Sequence, residues 1–193
     1  MTTVLEPPAS HDAPRQSWPV RSLRFFLGLA LLALCGLMVV EALAVRAIEA
    51  VLAEPLVRAV TTGDTSTLNE VILFGLGTSD PTGLRITAEC TVIIMVVPIG
   101  VVVSLLLMFS RVSMIRLLAG GVIGALAAIL VNQLRIALIA FSTQEWGMDP
   151  GYEVSHKFVG SVLAIIGFTL AFLILAKIIA KDPSRTNRKR SAA

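Results

Sequence analysis

Four long apolar runs constrain what this chain can become. They lie at about residues 23–45, 91–109, 117–141 and 159–180. Each is long enough, at 1.5 Å rise per residue, to cross a hydrocarbon core of ~30 Å as a helix. The 193 residues are 55% hydrophobic, and mean hydropathy is +0.84. That composition points to the bilayer rather than to a soluble domain. The expected fold class is all-α integral membrane, with four transmembrane helices.

Charge then orients the helices. The formal net charge is +3, a balance that elsewhere suggests nucleic acid. Here the basic residues form no soluble face. They gather at the two termini and at Arg111 and Arg116, between the second and third runs. No nucleic-acid partner is expected; the lipid bilayer is. Lysine and arginine favour the cytoplasmic side, so both termini and the Arg111/Arg116 connection are predicted to be cytoplasmic. The connections before the second and fourth runs then lie outside. The N-terminal run is too long for a signal peptide and lacks a clear cleavage site, so it reads as a retained anchor in the cytoplasmic membrane. Residues 1–20, rich in Pro, Ser, Thr and charge, read as a disordered cytoplasmic tail. Residues 21–181 form the membrane-embedded domain, and residues 182–193 form a basic cytoplasmic tail.

Between the first two runs the pattern changes. Residues 47–60 keep apolar positions at helical spacing with Glu49, Glu54 and Arg58 among them, and either extend the first helix or lie on the membrane surface. Residues 61–67 read as a polar break. The apolar stretches 71–74 and 84–87 flank a cluster of Gly75, Gly77, Asp80, Pro81 and Gly83, which predicts a small extracytoplasmic β-hairpin before the second helix. Pro98 falls inside the second run and is tolerated there. Gly120, Gly121, Gly124, Ala125 and Ala128 give the third run a small-residue face for close packing.

Three polar residues stand out against this background. Cys90 sits where the outer polar segment ends and the second run begins, directly after Glu89. His156 sits at the outer entry of the fourth run. Arg135 lies six residues before Phe141, roughly 9 Å below the predicted end of the third helix. The topology brings all three to one outer level. A cysteine at a helix N-terminus gains thiolate character, the same dipole keeps His156 neutral as a base requires, and Arg135 is placed to stabilise an oxyanion. Asn132, one turn earlier, is expected to orient Arg135, whereas Glu89 opposes a thiolate unless Arg135 or Arg85 pairs with it. Cys35, inside the first run, is expected at a different depth and unpaired with Cys90. Two cysteines and two histidines (His11, His156) are too scattered for zinc, so neither metal nor cofactor is expected.

Each residue also has a plainer reading. Cysteine is a common small residue in membrane helices, and a histidine at an interface is often a boundary residue. An intramembrane arginine is by default functional, yet it can serve as an ion-pair partner to Glu89 or Glu145.

In order, Glu89-Cys90-Thr91, Asn132-Gln133-Leu134-Arg135 and His156-Lys157-Phe158-Val159-Gly160 resemble the motifs of the exosortase/archaeosortase family: a cysteine at a helix entry, an Asn-x-x-Arg helix and a His-x-x-x-Gly helix. The resemblance covers roughly residues 70–170. It implies a membrane-embedded cysteine peptidase or transpeptidase, with Cys90 as nucleophile, His156 as base and Arg135 as stabiliser. It implies exported protein substrates with a C-terminal sorting signal: a short motif, a membrane helix and a basic tail. Val92 stands where many members have glycine. The chain is also short for the family, so the missing helices are either dispensable or supplied by a second copy or a partner subunit. The alternatives are a non-catalytic four-helix accessory or assembly protein and, ranked last for want of further intramembrane polar residues, a small transporter.

Overall fold

The computed structural model describes residues 18–180, with side chains from residue 20. The expected tails fall outside this range, except that residues 18–20 already belong to the first helix.

The chain is mostly helical. Helix α1 spans Trp18–Val40 and α2 spans Ala42–Val60. A short sheet follows, made of β1 (Asp64–Leu68), β2 (Val71–Leu76) and β3 (Thr82–Arg85). Then come α3 (Ile93–Phe109), α4 (Met114–Trp146) and α5 (Gly160–Ala180), the last two joined by two π-helical turns, Gly147–Tyr152 and Val154–Val159. Among the described residues three stretches are long and apolar enough to cross a membrane: Val20–Val40, Met114–Tyr152 and Val154–Ala180. Helix α3 is apolar but shorter, at 17 residues. These features suit an all-α membrane protein.

The distribution of side chains suits one too. Phe26, Leu130 and Ile165 are exposed on outer faces, whereas Arg24, Glu49, Asn132 and Arg135 are buried. A soluble protein does the opposite with large apolar and charged groups.

Helix α1 packs on α3, and α4 packs on α2, α3 and α5. The glycines of α4 serve two neighbours. A methyl at Gly120 or Gly124 would press on Leu175 or Ala171 of α5, and one at Gly121 on Val103 of α3. The small-residue face therefore lets three helices close on one another, since missing side chains allow backbones to approach.

One buried core lies among α3, α4 and α5, around Met95, Ile99, Leu117, Ala128 and Leu175. A second joins α2 and the sheet to the upper part of α4, with Val57, Ile72, Phe74, Ile86, Cys90, Ile136 and Ile139. Helices α1 and α2 are separated only at Glu41, and the bonds Glu41 N–H to Leu37 O and Val45 N–H to Glu41 O carry the helical path across the break. Residues 47–60 thus extend the first helix and pack on α4 and the sheet.

The sheet is antiparallel in the order β1-β2-β3. It has three strands where two were expected, because residues 64–68 pair with β2. Thr65 and Thr67 make that polar segment a competent strand, since β-branching suits a pleated surface. A two-residue turn at Asn69 and Glu70 joins β1 to β2, and Asn69 adopts φ 51°. Asparagine tolerates that left-handed conformation, which tight hairpins require. Gln144 of α4 then pins the sheet's entrance: Thr62 N–H donates to its Oε1 at 2.7 Å, and its Nε2 donates to Thr62 O at 3.1 Å.

Helix α4 is longer than the apolar run alone suggests. It has 33 residues, roughly 50 Å at 1.5 Å per residue. Its last turns continue beyond residue 141 because they pack against the π-helical turn at Gly151 and bond the sheet's entrance through Gln144. It stops at Gly147, whose φ of 79° is open to glycine and closed to most residues. Pro150, which lacks an N–H, falls in the first π-helical turn. A proline there disrupts the ordinary ladder, and wide turns absorb the disruption.

Candidate active site

The segment from β3 to α3 carries the cysteine. Ile86 N–H donates to Glu70 O, and Cys90 N–H to Thr87 O at 3.1 Å, so residues 87–90 form a tight turn below the sheet. Cys90 lies three residues before Ile93, the first residue of α3, and is only 4% exposed. Burial pushes its thiol above the usual range, against the attraction of Arg135. The expected thiolate gain from the helix terminus therefore yields to desolvation, which disfavours the charged form. Cys35 and Cys90 are both free thiols. Cys35 packs on α3 at Gly100, where an added methyl would lie 2.5 Å from its sulfur.

Arg135 reaches this turn from α4. Its Nη1 donates to the backbone carbonyl of Glu89 at 3.1 Å. The carboxylate of Glu89 is exposed, and Arg85, the other expected partner, pairs instead with Glu70 at 2.9 Å. Arg135 thus grips the chain beside Cys90 through the main chain. Its Nε is buried without a hydrogen-bond partner among the described residues.

The arginine lies across the start of α5, and Gly160 makes room for it. A methyl there would sit 2.8 Å from Nε and 3.3 Å from Nη2. The glycine that follows His156 by four residues is therefore a spacing requirement of the guanidinium, which gives the His-x-x-x-Gly pattern a physical reason.

His156 is carried by the second π-helical turn and is buried. Its ring stacks on Tyr152 with centroids 4.9 Å apart and planes 18° from parallel. Tyr152 also packs against the core that contains Cys90. The turn is held by Ser155 Oγ, which donates to Gly151 O and, at 3.3 Å, to Tyr152 O. Nε2 of His156 has no partner among the described residues.

A cleft of about 410 Å³ opens at these groups. Glu89, Arg135, His156, Lys157 and Ser161 line its polar part, and Ile94, Ala164 and Ile165 its apolar part. Cys90 lies behind this lining, one residue from Glu89. The cysteine turn, the arginine helix and the histidine turn, far apart in sequence, thus meet at one cleft. Cys90 and His156 make no hydrogen bond to each other among the described residues. Among the described residues no group of histidine, cysteine and carboxylate side chains could hold a metal ion.

Asn132 departs from its expected role. Its Nδ2 donates to Glu49 of α2 at 3.3 Å instead of serving Arg135. Glu49 is the site residue that sequence reasoning missed. It is 3% exposed, and burial raises its carboxyl above the usual range, against the hydrogen bonds it accepts from Thr91 and Val92 and the charge of Arg46. A signal existed: Glu49 shares one buried face of α2 with Ala50, Ala53 and Val57, a helical spacing that marks an inward residue.

Comparison with protein-family models, with curated proteins and with solved structures finds no match. The likeness to exosortases therefore rests on the residues quoted above.

Proposed function

We propose that this chain is a membrane-embedded cysteine peptidase or transpeptidase of exosortase-like type, acting on exported proteins at the outer face of the cytoplasmic membrane. Helix α3 is the second of four crossings, both termini are cytoplasmic, and the sheet is extracytoplasmic. The observation that carries the reading is the meeting of Arg135, His156 and the Cys90 turn at one cleft, with Arg135 Nε and His156 Nε2 both buried and without a hydrogen-bond partner among the described residues. Buried polar atoms without partners are rare, and a substrate that supplies the missing bonds accounts for them.

Depth agrees. Arg135 stands 21 positions after Met114, roughly 31 Å along the helix axis. If Met114, near Arg116, marks the cytoplasmic boundary, Arg135 lies at the opposite boundary of a core of ~30 Å. The cleft then opens where a substrate's membrane helix meets its exported segment, and the apolar Ile94, Ala164 and Ile165 face the lipid side.

In the proposed reaction the Cys90 thiol attacks the scissile carbonyl carbon while its proton passes to His156. Arg135 stabilises the oxyanion. The C–N bond breaks, the leaving amine takes the proton from His156, and a thioester remains on Cys90. An amine or water then resolves it. A buried, protonated thiol suits transfer to a neutral imidazole, and catalytic hydrogen bonds often close only on substrate binding.

A second reading, a non-catalytic four-helix accessory or assembly subunit, is favoured by one observation: Cys90 lies behind the cleft wall and its thiol is raised by burial. Processing of a co-expressed substrate with a C-terminal sorting signal separates the two. Cys90→Ser should abolish cleavage while the protein still inserts, and Cys35→Ser should leave cleavage intact. Unchanged cleavage in Cys90→Ser removes the nucleophile and favours the accessory subunit.

A further inference from the structure

We propose that Glu49 is a positioning residue for this site: a single buried carboxylate on α2 that sets the spacing between the cysteine-bearing turn and the arginine-bearing helix. The inference rests on the peptidase reading for the word site, but its geometry stands independently.

Three donors converge on Glu49. Thr91 Oγ donates to Oε2 at 2.7 Å. Val92 N–H donates to Oε1, and so does Asn132 Nδ2 at 3.3 Å. Thr91 and Val92 directly follow Cys90, and Asn132 precedes Arg135 by one helical turn. One carboxylate therefore holds the chain next to the nucleophile and the helix next to the stabiliser at the same time.

The sequence around α3 explains why an outside group is needed. The residue capping α3, Val92, has no side chain that can bond the first free N–H groups, the local Thr91 Oγ accepts only a long 3.4 Å bond from Ile93 N–H, and the first turn has no acidic residue. Helix N-termini favour a carboxylate. Glu49 supplies it from 43 positions away. A local Asp or Ser would cap the helix equally well but would not connect it to α4. The long-range cap couples two elements, and this coupling is what a positioning residue provides.

Cys90 reactivity reads the coupling without any substrate. Burial holds the Cys90 thiol up and Arg135 opposes it, so moving the Arg135 guanidinium away from this turn should slow alkylation. The experiment measures iodoacetamide labelling of the full chain in proteoliposomes, with Cys90 resolved from Cys35 by peptide mass. Arg135→Gln should slow labelling of Cys90 at neutral pH about tenfold, because a nearby cation that favours the thiolate is gone. Glu49→Ala should slow it by a similar factor, and the double variant should be no slower than either single. Loss of a nearby negative charge alone would speed labelling, so slowing reports geometry. Glu49→Gln, whose amide can accept from Val92 and Asn132 and donate to Thr91, should recover labelling to within about threefold of the parent chain.

Unchanged or faster labelling in Glu49→Ala, or losses that multiply in the double variant, overturn the proposal. If Glu49→Ala does not insert, Asn132→Ala takes its place in the same cycle, and multiplying losses there overturn it equally. The peptidase reading fails separately, through a Cys90→Ser variant that still cleaves substrate while the labelling cycle holds.

Discussion

Two buried arginines, at opposite ends of the helices, are treated differently. Arg24 of α1 is 4% exposed and Arg135 of α4 is 3% exposed. Arg24 bonds three carbonyls at the end of α3: Leu107 O at 3.2 Å, Leu106 O at 3.5 Å and Ser110 O at 2.8 Å. It caps a helix C-terminus, where a cation is favoured and carbonyls lack partners. Among the described residues Arg135 makes one bond, to Glu89 O, and keeps Nε without a partner. The same side chain at the same burial is therefore held by three carbonyls at one end and by one at the other. The first arginine fastens α1 to α3. The second, beside a cleft and a cysteine, is the one proposed to meet substrate.

Exchanging the two roles by mutation should sharpen the contrast. The largest effect is expected for Arg135→Gln, which should lower substrate processing by about 10²–10³, the usual cost of one oxyanion donor, while insertion and melting change little. Arg135→Lys should recover only part, because it lacks the planar fork. Adding Glu89→Gln should restore nothing, since Arg135 holds the Glu89 carbonyl and not its carboxylate. Recovery in that double variant would reduce Arg135 to an ion-pair partner and erase the contrast with Arg24.

Arg24→Gln should do the reverse. Losing charge-assisted bonds to buried carbonyls costs about 2–4 kcal/mol, to be read as a fall in unfolding midpoint in detergent. Turnover per folded molecule should stay near that of the parent chain. A selective loss of turnover with no loss of stability would break the comparison.

Gly160→Ala should have an intermediate effect. The added methyl would meet Arg135 Nε, so the guanidinium must shift, and a displacement of about 1 Å is expected to cost roughly tenfold or more in processing. Gly121→Ala, packed on Val103 of α3 away from the cleft, is the matched control and should affect stability only.

The smallest effect concerns pH. Burial raises the Cys90 thiol and Arg135 opposes that rise. The thiolate is the reactive form, so Cys90 labelling should increase only as pH climbs past the ordinary thiol range. In Arg135→Gln the midpoint should move further up, because a stabilising cation is gone. A midpoint that stays still, or falls, would mean that Arg135 does not face the sulfur.

Much of this organisation was legible in the sequence, for identifiable reasons. Apolar runs mark the helices because hydropathy acts locally, and Arg135 drew notice because an arginine among apolar residues has no cheap explanation. Cys90 and His156 were read from their positions at polar-apolar seams. The misses involve partners that no local pattern reveals. Glu49 looked like one charge among several on an amphipathic helix; only packing against α3 and α4 turns it inward. Asn132 shares a face with Arg135, which suggested that they meet, yet a buried carboxylate on α2 draws it away. The strand at residues 64–68 was missed because its polar side chains imitate a loop until β2 pairs with it. Apolarity fades at residue 141, so the sequence ends α4 there, although packing at Gly151 and the Gln144 bonds to Thr62 continue the helix.

The central claim is that Cys90 forms an acyl intermediate with substrate. The direct measurement is intact-mass analysis of the chain after co-expression with a tagged protein that carries a sorting motif, a membrane helix and a basic tail. The account predicts a covalent adduct between this chain and the N-terminal part of that substrate. Hydroxylamine should release it as a thioester, Cys35→Ser should retain it, and Cys90→Ser should lack it. Cleaved substrate with no adduct in the parent chain, or an adduct that persists in Cys90→Ser, would contradict the account.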